Sequence, residues 1–192
     1  MRLRHRLLRF ARDDRGSMAV EAMLILPILV WAYLATFVFF DGYRAQSLNT
    51  KAAYTIGDIL SRETNWVTPA YLDSLFALQQ VLTQSDQPRS MRITVIRWNA
   101  TARRYEVVWS RVRGSGAQQL VTNDLAKLAP FLPVMPAGES AILTETWVDY
   151  RPPASVIAPF TFRDFVVTRP RFASQLCWND RNTGGTMATG IC

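Results

Sequence analysis

The sequence predicts an α+β protein: a long N-terminal helix, membrane-spanning in its first half, packed by its second half on an antiparallel sheet of about four strands. Three observations carry this. Residues 17–40 are apolar apart from one charge, Glu21. Apolar residues then persist at helical spacing to about residue 62. Beyond residue 90 the periodicity changes from helical to alternating. A helical region followed by a run of strands is the pattern of an α+β fold.

The helix begins after a leader, residues 1–16, in which Arg2, Arg4, Arg6, Arg9, Arg12 and Arg15 face only Asp13 and Asp14. This leader therefore holds +4 of the net charge of +7 and leaves +3 for the remainder. Nucleic-acid binding is not expected, because it needs cations gathered on the folded part. At about 1.5 Å rise per residue, residues 17–40 make a helix roughly 36 Å long, enough to cross a hydrocarbon core of about 30 Å. A soluble core helix seldom has such a length, and a secretory h-region usually runs to about 7–15 residues and ends in a small-x-small site, which is missing here. A lipoprotein anchor is excluded by the lack of a cysteine near the span. The arginines place the leader in the cytoplasm and residues 41–192 on the far side. The expected setting is a single-pass membrane protein in contact with lipid, with its N-terminus in the cytoplasm and an exported domain.

Past the span, Leu48, Ala52, Ile56 and Leu60 continue one apolar stripe, so the helix is expected to extend to about Arg62, with Gly42 and Gly57 as weak points. Thr68-Pro69 starts a second helix, the threonine as cap and the proline where its missing N–H does no harm. Leu72, Leu75, Phe76 and Leu82 mark its apolar face, and it ends before Pro88.

Alternation then predicts two strands. Ile93 and Val95 alternate with Arg92 and Thr94, and Tyr105, Val107 and Trp109 alternate with Glu106, Val108 and Ser110, with a turn over 99–103. A short helix from about Asn123 to Ala129 precedes Pro130, Pro133 and Pro136. A third strand covers about Ser140 to Tyr150 and a fourth Phe162 to Val167, bounded by Pro152, Pro153 and Pro170.

Cys177 and Cys192 are the only cysteines. In an exported domain an even, local pair is expected to form a disulfide. It would close a loop too rich in Asn and Gly to order itself, and so pin the C-terminus.

The expected site has no catalytic, cofactor-binding or metal residues. His5 is the sole histidine and lies in the leader, so the exported domain cannot assemble a Ser-His-Asp or Cys-His arrangement. Gly114-Ser115-Gly116 lacks the remaining features of a phosphate-binding loop and reads as a turn. Asp149 and Asp164 could pair in space, as chance allows among 13 acids beyond the leader.

The informative pattern is Arg15-Gly16-Ser17-Met18-Ala19-Val20-Glu21, followed by Ala22 and by Leu26-Pro27-Ile28-Leu29. A basic leader ends in glycine, and a glutamate stands five residues further on inside an apolar helix. This resembles the cleavage region of a type IV prepilin, and over residues 12–51 it resembles the TadE-like family of small pilin-related proteins from tight-adherence pilus systems. The resemblance implies a pilin-like fold, cleavage between Gly16 and Ser17 by a prepilin peptidase, and an assembly contact made by Glu21. It also implies other pilin-like subunits and the pilus assembly platform as partners. Two departures point to a minor pilin or pseudopilin rather than a major one: Ala22 stands where major tight-adherence pilins have an aromatic residue, and the exported domain is large.

The chemistry agrees with that implication without requiring it. A carboxylate inside a membrane helix is costly and by default marks a site with a partner. Cleavage after Gly16 would give Ser17 an α-amino group, largely protonated at neutral pH, able to pair with such a carboxylate. A plainer reading is also open. Glu21 is only about 6 Å into the span and can reach the headgroups, so the chain would be an uncleaved anchor carrying a periplasmic binding or sensing domain. Trp66, Trp98, Trp109, Trp147 and Trp178 would serve either as core or as interface.

Overall fold

The computed structural model describes residues 17–182, 186 and 189–192. It divides into two compact units. The first holds the described residues up to Asp41 together with Pro152–Ile157; the second holds Gly42–Arg151 and Ala158–Cys192.

Helix α1, Ser17–Arg62, is a single 46-residue helix containing Pro27. From Met18 to Phe40 every residue but Ala35 and Val38 is exposed. In the second unit the helix changes character: of the predicted stripe Ala52, Ile56 and Leu60 are buried and Leu48 is half-buried, and Ala53 is buried beside them. The helix runs through Gly57 because it needs the missing side chain there. A Cβ would come within 3.2 Å of Thr168 Cγ2 and 3.5 Å of Thr144 Oγ1, so Gly57 lets the helix lie close on the sheet.

Helix α2, Pro69–Thr83, is capped by Thr68, whose hydroxyl accepts from the Tyr71 amide at 3.3 Å, and ends at Gln84 in the left-handed conformation. Its buried line is Leu72, Leu75, Gln79 and Thr83. The last two are polar and are accommodated by hydrogen bonds. Gln79 Nε2 donates to the Ser90 carbonyl, and the Thr83 hydroxyl donates to the Gln79 carbonyl.

Four antiparallel strands follow: β1 Arg89–Asn99, β2 Arg104–Gly114, β3 Ser140–Tyr150 and β4 Phe160–Thr168, in the order β2-β1-β3-β4. The chain is thus an α+β fold with a long N-terminal helix packed on a four-stranded antiparallel sheet. The second half of α1 lies over β3 and β4, where Gly57 meets Thr144 and Thr168. α2 adds Leu72 and Leu75 to a core shared with Ile56, Leu60, Met91, Ile93, Val95, Trp109 and Ile142.

The opposite face of the sheet is also covered. There Ile96, Ala141 and Leu143 pack against Leu120, Leu125, Leu132 and Met135, which come from the segment joining β2 to β3. That segment holds a 3-10 turn, Thr122–Asp124, a one-turn helix α3, Leu125–Leu128, and a second 3-10 turn, Ala129–Phe131. Burial on both faces accounts for the nearly continuous burial of β3.

One strand departs from simple alternation. Val95 pairs with Trp109 but Ile96 pairs with Val107, so Val108 is the extra residue of a bulge. As a result Tyr105 and Val107 belong to the face away from the helices, whereas Trp109 joins the helix-side core.

A two-stranded ribbon, β5 Trp178–Asn179 and β6 Gly190–Ile191, closes the C-terminal region, and a disulfide joins Cys177 to Cys192. The ribbon is fastened to the loop between the helices. The Val67 amide donates to the Cys177 carbonyl and the Asn179 amide to the Val67 carbonyl, both at 2.9 Å. The Trp109 indole donates to the Leu176 carbonyl at 2.8 Å.

Candidate functional site

Ser17 is the first residue of α1 and Glu21 stands one turn further on. Glu21 is exposed, as are the apolar side chains that follow it, including Met23, Leu24, Leu26, Ile28 and Leu29. Gly16, the other half of the expected cleavage site, lies outside the described residues, as does His5. Pro27 cannot donate a backbone hydrogen bond, yet the helix continues through it, and Thr36 donates its hydroxyl back to the Ala32 carbonyl at 2.8 Å. α1 is the one described helix long and apolar enough to cross a membrane.

In the folded domain the paired-carboxylate possibility fails. Asp164 turns to the helix side, where its carboxylate accepts from Asn49 Nδ2 at 2.5 Å and from the Thr50 hydroxyl at 2.7 Å. Asp149 lies on the other face and accepts from the Thr161 hydroxyl at 2.7 Å. A sheet separates the two groups. Asp164 instead ties α1 to β4, a role that fits the buried, otherwise costly Asn49.

A second carboxylate escapes sequence reasoning. Glu145, in the centre of β3, is fully buried and accepts from Arg92 Nε at 2.6 Å and its NH2 at 2.8 Å, and from Arg163 at 2.9 Å. Both guanidiniums lie over the Trp147 ring, 5.2 and 5.5 Å from its centroid. Because Arg92, Glu145 and Arg163 come from β1, β3 and β4, the cluster clamps three strands in register. Every charge in it has a partner, so it has the character of a structural clamp. Glu145 inside the otherwise apolar and hydroxyl-bearing run from Ala141 to Val148 was the available signal.

The tryptophans divide between the two roles. Trp109 and Trp178 are core residues with ring centroids 5.7 Å apart, whereas Trp66, Trp98 and Trp147 are half-buried. Near the ribbon, Trp178 donates its indole N–H to Asp180 at 2.5 Å, and Arg111 approaches the same carboxylate at 3.3 Å while lying over the Trp178 ring. The indole hydrogen bond, and to a lesser degree Arg111, hold the Asp180 carboxyl below the usual carboxylate range against a smaller opposing effect of desolvation. Burial, reinforced by a hydrogen bond and the negative charge from Glu63, pushes the Tyr71 phenol well above its ordinary value. Among the described residues no three His, Cys, Asp or Glu side chains converge as metal ligands.

The chain matches no family model, no curated protein and no solved structure.

Proposed function

We propose that the chain is a minor pilin-like subunit, a pseudopilin of the TadE-like kind, acting in the assembly or initiation of a tight-adherence type IV pilus. The observation that carries this reading is the Gly16-Ser17 junction with Glu21 one helical turn beyond it, set at the start of an apolar helix that continues into an α+β domain. In this reading the arginine leader stays in the cytoplasm, residues 17–40 cross the inner membrane, and the remainder is periplasmic. The Cys177–Cys192 disulfide suits that oxidising compartment.

The mechanism is one of processing and pairing. A prepilin peptidase cuts after Gly16, where the lack of a side chain gives the enzyme close access to the backbone. The new Ser17 ammonium and the Glu21 carboxylate then form a charge pair, in one chain or between adjacent subunits, which lowers the cost of holding Glu21 in the lipid. The released helix presents its apolar surface to other pilin-like subunits and to the assembly platform.

Intact-mass and N-terminal analysis of the protein from its native membrane tests the reading. A mature chain that begins at Ser17 supports it. Retention of the arginine leader in cells containing the peptidase would overturn it in favour of an uncleaved single-span protein with a periplasmic binding or sensing domain. A bulky residue at Gly16 should block the cut, and Glu21→Ala should leave the cut intact while weakening fibre formation.

A further inference from the structure

On the sheet face away from the helices, the β1–β2 hairpin and the segment 122–135 enclose an open groove of about 640 Å³. That volume lies within the range of about 300–1,000 Å³ usual for binding sites. Trp98, Tyr105, Leu125, Ala126, Ala129 and Met135 form its floor and walls. The wall is held in place: the Trp98 and Tyr105 rings meet edge-on with centroids 4.8 Å apart, and the Tyr105 hydroxyl donates to the Pro133 carbonyl at 2.8 Å. Val134, on the groove's lining, is 91% exposed, and Val121 and Phe131, from the same connection between β2 and β3, are 56% and 71% exposed. Exposed apolar side chains beside a groove mark interaction surfaces and ligand-binding grooves.

The charge on the rim is one-sided. Arg103 and Arg104 are the only charged residues lining the groove. Arg104 is already paired with Glu106 at 3.3 Å, whereas Arg103 has no carboxylate partner among the described residues. Arg103 also has φ +48°, in the left-handed region where glycine and asparagine are at ease and an arginine is strained. The turn itself would be better served by glycine. The arginine is therefore explained by its guanidinium, which stands free at the mouth of an apolar groove.

We propose that this groove docks an acidic-hydrophobic peptide segment of a partner protein, with an aromatic or aliphatic side chain in the groove and an adjacent carboxylate on Arg103. A guanidinium and a carboxylate match in both charge and geometry. The apolar lining, which includes the Trp98 and Tyr105 rings, suits an apolar peptide side chain. The inference rests on the folded domain alone and holds whether or not the leader is cut.

The test uses the full chain in detergent micelles and a library of end-capped hexapeptides, each with one aromatic or aliphatic residue beside one or two acidic residues. A matched library has amides in place of the acids. Acidic members should bind, their amide counterparts at least tenfold more weakly. Arg103→Gly should weaken binding at least tenfold while leaving the thermal midpoint unchanged or raised, an outcome that a purely structural arginine does not produce. Equal binding of acid and amide peptides, full binding by the Arg103→Gly variant, or no binder in the library overturns the proposal. So does a change in the oligomeric mass of that variant without a change in peptide affinity, which would assign the groove to a second copy of the chain.

Discussion

In the first half of α1 the large apolar side chains point outward, with Met18 87%, Trp31 63% and Phe40 70% exposed, whereas Ala52, Ala53, Ile56 and Leu60 in the second half are buried. Both halves belong to one helix, so backbone geometry does not separate them. The distribution of apolar residues does. Residues 18–40 are apolar all round, and no single packing partner could cover them; residues 42–62 confine their apolar side chains to a stripe that one sheet can cover. The first half is thus long and apolar enough to cross a membrane, whereas the second is packed on the domain.

The largest effect should come from placing charge in the outward-facing half. Replacing both Leu29 and Val30 by aspartate puts two carboxylates near the middle of the proposed span, at about 2.5–3.5 kcal/mol each on the insertion scale, or about 5–7 kcal/mol together. The protein should move from the membrane to the soluble fraction on alkaline extraction. If it stays in the membrane fraction, the contrast between the halves has another cause.

Truncation sharpens the same contrast. Ile56 is fully buried beside Gly57, where the helix lies close on the sheet, so Ile56→Ala should cost about 2–5 kcal/mol in urea unfolding of the domain. Leu24→Ala removes a side chain of similar size from an exposed position and should change that unfolding by less than about 0.5 kcal/mol. Similar losses from both would mean that the first half also contributes to the folded core.

Next in size is the disulfide. Cys177→Ser combined with Cys192→Ser reopens a loop of sequence separation 15 and should lower the stability of the domain by about 3 kcal/mol. The loss should appear in the loop that follows the packed half of α1, because the Cys177 carbonyl accepts from Val67. Unchanged urea midpoints in the double variant would show that the ribbon holds without its bridge.

The features that sequence reading reached are those set by local chemistry. Thr68-Pro69 announces the start of α2 because cap and proline act within one turn, and β3 is bounded by residues 140 and 150, where the sequence places it, because Pro136 and Pro152 delimit it. The bulge at Val108 was hidden because alternation across it is locally intact and only the pairing with Ile96 shows the slip. Gln79 was hidden in the buried stripe because the partner of its amide nitrogen, the Ser90 carbonyl, is supplied only by the fold, and Thr83 because its hydroxyl bonds back to the Gln79 carbonyl of its own helix. β5 and β6 have two residues each and depend on contacts with Val67 and on the disulfide, so no periodicity could reveal them. The same division holds for function. The proposed Gly16–Glu21 pattern rests on spacing in the sequence alone, whereas the proposed groove needs Trp98 and Tyr105 to be brought against residues 122–135.

The smallest effect concerns acid, and it distinguishes the two halves by hydrogen exchange. Asp180 accepts from the Trp178 indole and pairs with Arg111, and its carboxyl is held below the usual range. A lowered folded-state pKa means that the stabilisation is complete above the unfolded value of about 3.9 and is lost as pH falls below that through the folded value. The group is exposed, so the effect is modest. Protection of the Val67 and Asn179 amides, which fasten the ribbon, should therefore be constant from about pH 5 to 8 and decline below about pH 4, after correction for intrinsic exchange. Amides of residues 29–34 should show no such decline, since no carboxylate lies within a helical turn of them in the chain. Asp180→Asn keeps an acceptor for the indole but does not titrate, so the acid-dependent step at Val67 should disappear. An identical decline in that variant would assign the step to another carboxylate.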